Sequence, residues 1–331
     1  MAKEPVSGRD IVVVGGSAGS LGPLKTLLSR LPKDLPAALL VVVHIPNDGR
    51  SVLPEILASA GALPAGHPSD GEPIEPGRVY VAPSDHHMLV EDEHIKVTRG
   101  PRENRHRPAI DPLFRTAARS YGRRVVGVIL SGLLDDGAAG LMAVRMRGGL
   151  AVVQDPAEAI YPEMPARAIQ YSGADCILKV NDIANLIVSL SREKAPEEST
   201  IAREGMPEES KRDKADLEAS PAEEKEGTPS TFACPECHGV LWEVREGELL
   251  RFRCRVGHAY TADALRLAMS EATEDALWAS MRSLEEKAAL LRRMAPRSAP
   301  RLANAYKEEA EACDRHVESI RAILIENQKI A

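Results

Sequence analysis

Aromatic side chains are the scarcest class in this chain: three Phe, six Tyr and two Trp make up 3% of its 331 residues. Hydrophobic residues still reach 44%, ample for a packed core in a chain of this length. Any apolar run near the roughly 18–20 residues of a membrane span is also missing, so no membrane insertion is expected. The opening MAKEPVSGRD is polar and runs directly into a short strand-like segment, unlike a signal peptide. Positive charge is in deficit, with 42 Lys and Arg against 49 Asp and Glu and a net charge of −7. That argues against a protein whose whole surface binds nucleic acid. Cysteine is sparse, and three of the five cluster at 234, 237 and 254, which is no disulfide framework. Together these absences read as a soluble protein of a reducing compartment, the cytoplasm.

What is present divides the chain. Residues 1–191 alternate near-continuous apolar runs with helical patterns and glycine-rich turns. IVVV (11–14), ALLVVVH (38–44), RVYVA (78–82), VVGVILS (125–131), LAVVQ (150–154) and ADCILK (174–179) read as buried strands. Helices are expected over Gly22–Leu31, Asp111–Tyr121 and Ala138–Arg147, and Met88–Glu91 with His94–Thr98 as an antiparallel hairpin. The pattern predicts a doubly wound α/β domain, a mostly parallel sheet with helices on both faces. Residues 192–231 carry 12 acidic and 7 basic residues and four prolines, the composition of a disordered charged linker. A cysteine-bearing β-hairpin is expected over 232–261 and a helical hairpin over 262–331. The chain shows no internal repeat.

Residues 11–22 read IVVVGGSAGSLG, and Ser17 is their most informative position. A dinucleotide fingerprint from Gly15 would need glycines where Ser17 and Ser20 stand, and a P-loop would need a lysine well before Lys25. G-x-S-x-G at 15–19, between a strand and a helix, fits a nucleophile turn literally; a plain βα turn is the other reading. A serine nucleophile needs a base and an orienting acid. His44 ends one buried strand and Asp136 follows another, in LSGLLDDGAAG. In an open parallel sheet, catalytic groups gather at the carboxyl ends of strands. The alternatives are a satisfied strand-end histidine at 44 and a helix N-cap at 136. The order Ser, His, Asp differs from that of α/β-hydrolases.

The stretches VVGGSAGS, VVVHIP, PIEPGRVYVAPSDHHM, RPAIDPLFRTAA, VILSGLLDDGAAGL and AVVQDPAEAIYPEMPARAI resemble, in order, the catalytic domain of chemotaxis protein-glutamate methylesterases. That resemblance implies hydrolysis of γ-glutamyl methyl esters on chemoreceptor-like proteins with release of methanol, and in some members glutamine deamidation. It makes Ser17 the nucleophile, His44 the general base and acid, and Asp136 the triad acid, with no cofactor for catalysis. Amides near Ala18–Gly19 are the expected oxyanion donors. Where the family usually has Gly-Met-Gly before the acid, this chain has Gly132-Leu133-Leu134, and Ala18-Gly19-Ser20 replaces the frequent Thr-Gly-Gly. With the first strand at Ile11, no phosphoacceptor receiver domain is expected ahead of it. Asp135 is set aside in favour of Asp136. Asp111 is read as the cap of its own helix, and Arg105, His106 and Arg107 as a solvated loop rather than a substrate groove.

FACPECHG supplies Cys234 and Cys237, and after a hairpin turning at Glu246-Gly247 come Cys254 and, in RVGH, His258. A C-x2-C…C-x3-H set suits a closed tetrahedral site for structural Zn2+; His238 is an alternative fourth ligand. Cys176 and Cys313 read as core residues. Arg251, Arg253 and Arg255 share one strand face, read as solvated rather than as a nucleic-acid contact. Leu277, Met281, Leu284, Ala288 and Leu291, then Leu302, Tyr306, Ala310, Cys313 and Val317, recur at helical spacing on either side of Pro296 and Pro300. Two such helices suit self-association, the docking of a receptor or kinase, or only folding on each other; a chemosensory kinase or methyltransferase is the further partner class expected of the chain. Two functions stay open: an esterase acting on methylated receptors, and a catalytically weak adaptor in a chemosensory array.

Overall fold

Period-two burial builds the first unit from its strands outward. Every residue of β1 (Ile11–Gly16) is buried, and alternate side chains enter different cores. Ile11 and Val13 join one cluster, and Val12 and Val14 the other. The computed structural model describes residues 8–44, 51–193, 227–246 and 249–327. It divides into two compact units, Met1–Leu265 and Arg266–Ala331.

In chain order the first unit contains α1 (Leu21–Ser29), β2 (Ala38–Val43), α2 (Leu53–Ala60), β3 (Ala65–Gly66), β4 (Glu72–Pro73), β5 (Val79–Val81), β6 (His87–Glu91) and β7 (His94–Thr98). Then follow α3 (Ile110–Tyr121), β8 (Val125–Ile129), α4 (Ala138–Met146), β9 (Leu150–Gln154), α5 (Glu163–Ser172), β10 (Cys176–Leu178) and α6 (Val180–Arg192). Seven strands form one sheet in the order β10-β9-β8-β1-β2-β5-β3, with every pairing parallel. Leu24, Leu57 and Ile183 of α1, α2 and α6 cover one face. Phe114, Leu141 and Met164 of α3, α4 and α5 cover the other. This is the doubly wound architecture that apolar strands buried on both sides predict. The chain reverses its winding direction between β1 and β8, so the segments after these strands open onto one crevice. The expected hairpin is β6–β7, with β4 added to it.

The cysteine-bearing segment is an antiparallel sheet of β11 (Thr228–Ala233), β12 (Val240–Glu246), β13 (Leu249–Cys254) and β14 (Ala259–Thr261). The hairpin is as expected, but β11 lies partly inside the segment read as linker, and α6 runs through Arg192 at its other end. Thr228–Ala233 is a polar, largely exposed edge strand containing Pro229, so it carries no hydrophobic alternation to announce it. The rest of that expected linker, 194–226, lies outside the described residues, as does the turn at 247–248.

The helix α7 (Ala262–Met294), which lies in the second unit from Arg266 onward, leads through a turn at Ala295–Arg297 to α8 (Pro300–Asn327). Ala288 and Leu291 pack on Ala310 and Cys313, and Lys287 pairs with Glu309 at 2.7 Å. Arg292 likewise pairs with Asp314, so the helices form the antiparallel hairpin expected. Among the described residues no helix is long and apolar enough to cross a membrane.

Candidate active site

Ser17 and His44 each follow directly on a strand that ends in the crevice. The Ser17 amide donates to the Ser131 carbonyl at 3.0 Å, and the His44 amide to the Gly16 carbonyl at 3.2 Å. Those bonds extend the sheet's pairing one residue beyond its strands and aim both side chains at one point. His44 Nδ1 lies 3.2 Å from Ser17 Oγ, and His44 Nε2 lies 2.8 Å from Asp136 Oδ2. A carboxylate accepts only, so Nε2 carries the proton and Nδ1 presents its lone pair to the serine hydroxyl. The general serine–histidine–acid template uses the two ring nitrogens the other way round; proton transfer from serine needs only a basic nitrogen on that side. The His44 and Asp136 side chains are 5% and 2% exposed, so the pair works away from bulk water.

Four donors surround the Asp136 carboxylate. Oδ2 accepts from the Ile110 amide at 2.7 Å as well as from His44. Oδ1 accepts from Asn104 Nδ2 at 2.9 Å and the Asp111 amide at 3.3 Å. Ile110 and Asp111 open α3, so a helix N-terminus faces the anion. Burial works against the charge. The hydrogen bond and charge of His44, with the Ile110 and Asn104 donors, outweigh it and hold Asp136 well below the usual carboxylate range. Asp111 does not cap its own helix, as the sequence suggested: its Oδ1 accepts from the Gly137 and Gly140 amides at 3.0 and 2.7 Å, at the start of α4. The two aspartates therefore exchange helices, each serving the N-terminus that the other's segment opens. Burial and the neighbouring Asp136 push Asp111 up, and Asn104 Nδ2 reaches its Oδ2 at 3.0 Å.

The 102–107 loop is packed, not solvated. The His106 ring stacks on His44 with centroids 3.6 Å apart and planes 9° from parallel. Burial, then the neighbouring His44, lowers His106 to about 3, so it stays neutral where it faces the His44 ring. Arg107 donates to Asp85 at 2.9 and 2.6 Å. Ser131 ties the serine turn to the next loop: its hydroxyl donates to the Ala18 carbonyl at 2.9 Å and accepts from the Tyr161 amide at 3.0 Å. The Ala18 and Gly19 amides meet no protein acceptor among the described residues, as an oxyanion site requires.

A model of the CheB methylesterase family matches residues 12–187. The chain belongs to the CheB methylesterase family. Over 184 residues it is 38% identical to a putative protein-glutamate methylesterase/protein-glutamine glutaminase of Leptospira interrogans, spanning 55% of this chain and 95% of the relative. Protein-glutamate methylesterase/protein-glutamine glutaminase 5 of Anaeromyxobacter dehalogenans is 38% identical over 186 residues, 55% of this chain. There the match spans only 51% of the relative's length. The crystal structure of the Thermotoga maritima CheB methylesterase catalytic domain superposes with a TM-score of 0.53 at 32% identity, covering 56% of this chain and all of that one.

Against this family's usual Gly-Met-Gly, Leu134 adopts φ 61°, a left-handed conformation that glycine takes without strain. Leu133 beside it is exposed. Beyond the family domain, Cys234, Cys237, Cys254 and His258 bring their ligand atoms within 4.8 Å of one another, a candidate metal site. His238 is not among them. Cys237 and Cys254 Sγ are 3.6 Å apart, and His258 Nδ1 lies 3.7 and 3.6 Å from Cys234 and Cys254 Sγ. A tetrahedron with Zn–S near 2.3 Å and Zn–N near 2.0–2.1 Å has edges of about 3.6–3.8 Å. His258 Nε2 meets Glu236 at 3.3 Å, which turns the Nδ1 lone pair toward the sulfurs. The arginine face also differs from expectation: Arg251 is buried and pairs with Glu103 at 3.0 Å. Sequence reasoning missed Asn104, Ser131 and Thr261. Asn104 had a signal, since it adjoins the flagged Arg105–Arg107, but Thr261 had none.

Proposed function

We propose that this chain is a protein-glutamate methylesterase acting on methylated chemoreceptor-like proteins, with Ser17 as nucleophile, His44 as general base and acid, and Asp136 as triad acid. The observation that carries the reading is the Ser17–His44–Asp136 line, with a buried carboxylate held by four donors, in a chain of this family. His44 Nδ1 takes the Ser17 proton as Oγ attacks the ester carbonyl, and Asp136 stabilises the imidazolium. The tetrahedral oxyanion faces the Ala18 and Gly19 amides. Collapse breaks the C–O bond, and His44 returns its proton to the departing methoxide, which leaves as methanol. Water, deprotonated by His44, then attacks the acyl-enzyme, and the glutamate carboxylate and Ser17 hydroxyl are regenerated. Glutamine follows the same route with ammonia leaving.

The four-stranded sheet holds structural Zn2+ through Cys234, Cys237, Cys254 and His258; three ligand-atom separations of 3.6–3.7 Å and the Glu236–His258 contact support this. None of the five cysteines is in a disulfide, which suits the cytoplasm. Chemosensory kinase or methyltransferase partners belong to this reading of the chain, and self-association to its helical hairpin. The test is methanol release from methylated receptor membranes by wild type and Ser17→Ala. Release by wild type alone supports the reading, and equal release by both overturns the role of Ser17. No release, together with no labelling of Ser17 by a fluorophosphonate, would favour the adaptor.

A further inference from the structure

The loop that supports Asp136 is gripped on its other side by the cysteine-bearing sheet. The Asn104 amide donates to the Ala259 carbonyl at 2.8 Å, and the Ala259 amide to the Arg102 carbonyl at 3.3 Å. Glu103 and Ala259 thus form a parallel bridge, extending β14 into the loop. The Thr261 amide donates to Asn104 Oδ1 at 2.9 Å, so the Asn104 amide group is oriented with Nδ2 toward Asp136 and Asp111. The Thr261 hydroxyl donates to Asp135 Oδ1 at 2.7 Å, on the residue that precedes the triad acid. Arg251 of β13 and Arg115 of α3 meet on Glu103, at 3.0 and 2.8 Å. All of these groups are buried or nearly so. Thr261 stands three residues after His258, in a strand too short to hold its place alone. A small sheet of this size lacks the core to fold unaided, and bound metal supplies that stability.

We infer that the metal-bound sheet is a structural part of the esterase centre: Thr261 is a positioning residue that fixes Asn104, and through it Asp136 and His44. This rests on the esterase reading above and on the four metal ligands, and extends both. The connected path is metal site, β14, Asn104, Asp136, His44, Ser17. Metal loss frees the 102–107 loop, which loosens the donors on Asp136 and the His106 ring stacked on His44. A displacement of the order of 1 Å in such a site costs about a hundredfold in rate.

Two measurements on the full chain test this. The first is amide exchange with zinc bound and after chelation. Asn104 and Ile110 are expected to exchange at least about tenfold faster without metal, while the amides of β1 and β8 keep their protection. Unchanged exchange at 102–111 overturns the inference, as does failure of the purified chain to bind one zinc. The second is the rate of Ser17 labelling by a fluorophosphonate in Thr261→Val and Thr261→Ser, both of which keep all four metal ligands. Valine is expected to slow labelling about tenfold or more and serine to restore it. The acid limb of the pH profile should also rise in Asn104→Ala, because a carboxylate stripped of its donor holds the His44 proton more tightly. Asp111, His106, Glu103 and Arg251 face the same pocket and remain in every variant. Wild-type rates in Thr261→Val sink the clamp. Absence of labelling in wild type sinks the esterase reading instead, and the exchange experiment still decides the clamp.

Discussion

Adjacent carboxylates at 135 and 136 titrate in opposite directions. Asp136 is depressed below its ordinary value, so it contributes stability above its unfolded pKa that is lost as pH falls through the folded one. Asp135 is raised by burial to about 6, against the Thr261 hydrogen bond. Ionising it therefore costs stability, a cost absent below about pH 4 and complete above pH 6. A rise to about 6 makes that cost about 2–3 kcal/mol, and Asp135→Asn is expected to remove this part of the pH dependence in urea unfolding between pH 4 and 7. At His44 the effect is catalytic: His44→Ala should slow fluorophosphonate labelling of Ser17 by about a thousandfold with little change in melting temperature. Leu134→Gly should relieve the left-handed backbone and stabilise the fold by about 1 kcal/mol, read from the denaturation midpoint. Ser17 and His44 were legible as candidates because they stand directly after apolar strands, and Asp136 because it lies in the short loop between an apolar strand and the next helix. Asp111 was misread because spacing along the chain shows the helix a carboxylate stands on, not the helix its oxygens face.

At the scale of elements, the start of α3 carries the site. Gly15 lets that helix approach β1, since a Cβ there would stand 2.4 Å from Ile110 Cγ2. Gly15→Ala should therefore push the Ile110 amide away from Asp136. The expected result is a loss of about 1–3 kcal/mol in stability and a fall in Ser17 labelling larger than that loss alone explains. Apolar runs announced the parallel strands, and the 88–98 hairpin was legible as a pair of short, more polar runs. The edge strand β11 was not, because an exposed polar strand has no periodic apolar face. Arg251 was read on a solvated face for the complementary reason. Alternation tells that it shares a face with Arg253, but not that Glu103 of another segment covers it.

Across the first unit, backbone pairing of Ala259 with the 102–104 loop joins the candidate metal site to the candidate active site. Chelation is expected to lower the apparent melting temperature of the full chain and to restore it on adding back zinc, checked by circular dichroism. The proton balance is a further signature: zinc uptake by thiols at neutral pH releases protons, measurable as acidification of an unbuffered sample.

The amino-acid sequence by itself determined the doubly wound class, the three candidate catalytic groups and the four residues that gather as a candidate metal site. These depend on local periodicity and on spacing within short segments. Tertiary structure alone decided that Asp136 and Asp111 exchange helices, that His106 stacks on His44, and that Thr261 holds Asn104 across more than 150 positions of chain. Such contacts join groups whose chemistry is ordinary one at a time. Only folding brings them within hydrogen-bonding distance and takes away the water that would otherwise satisfy them.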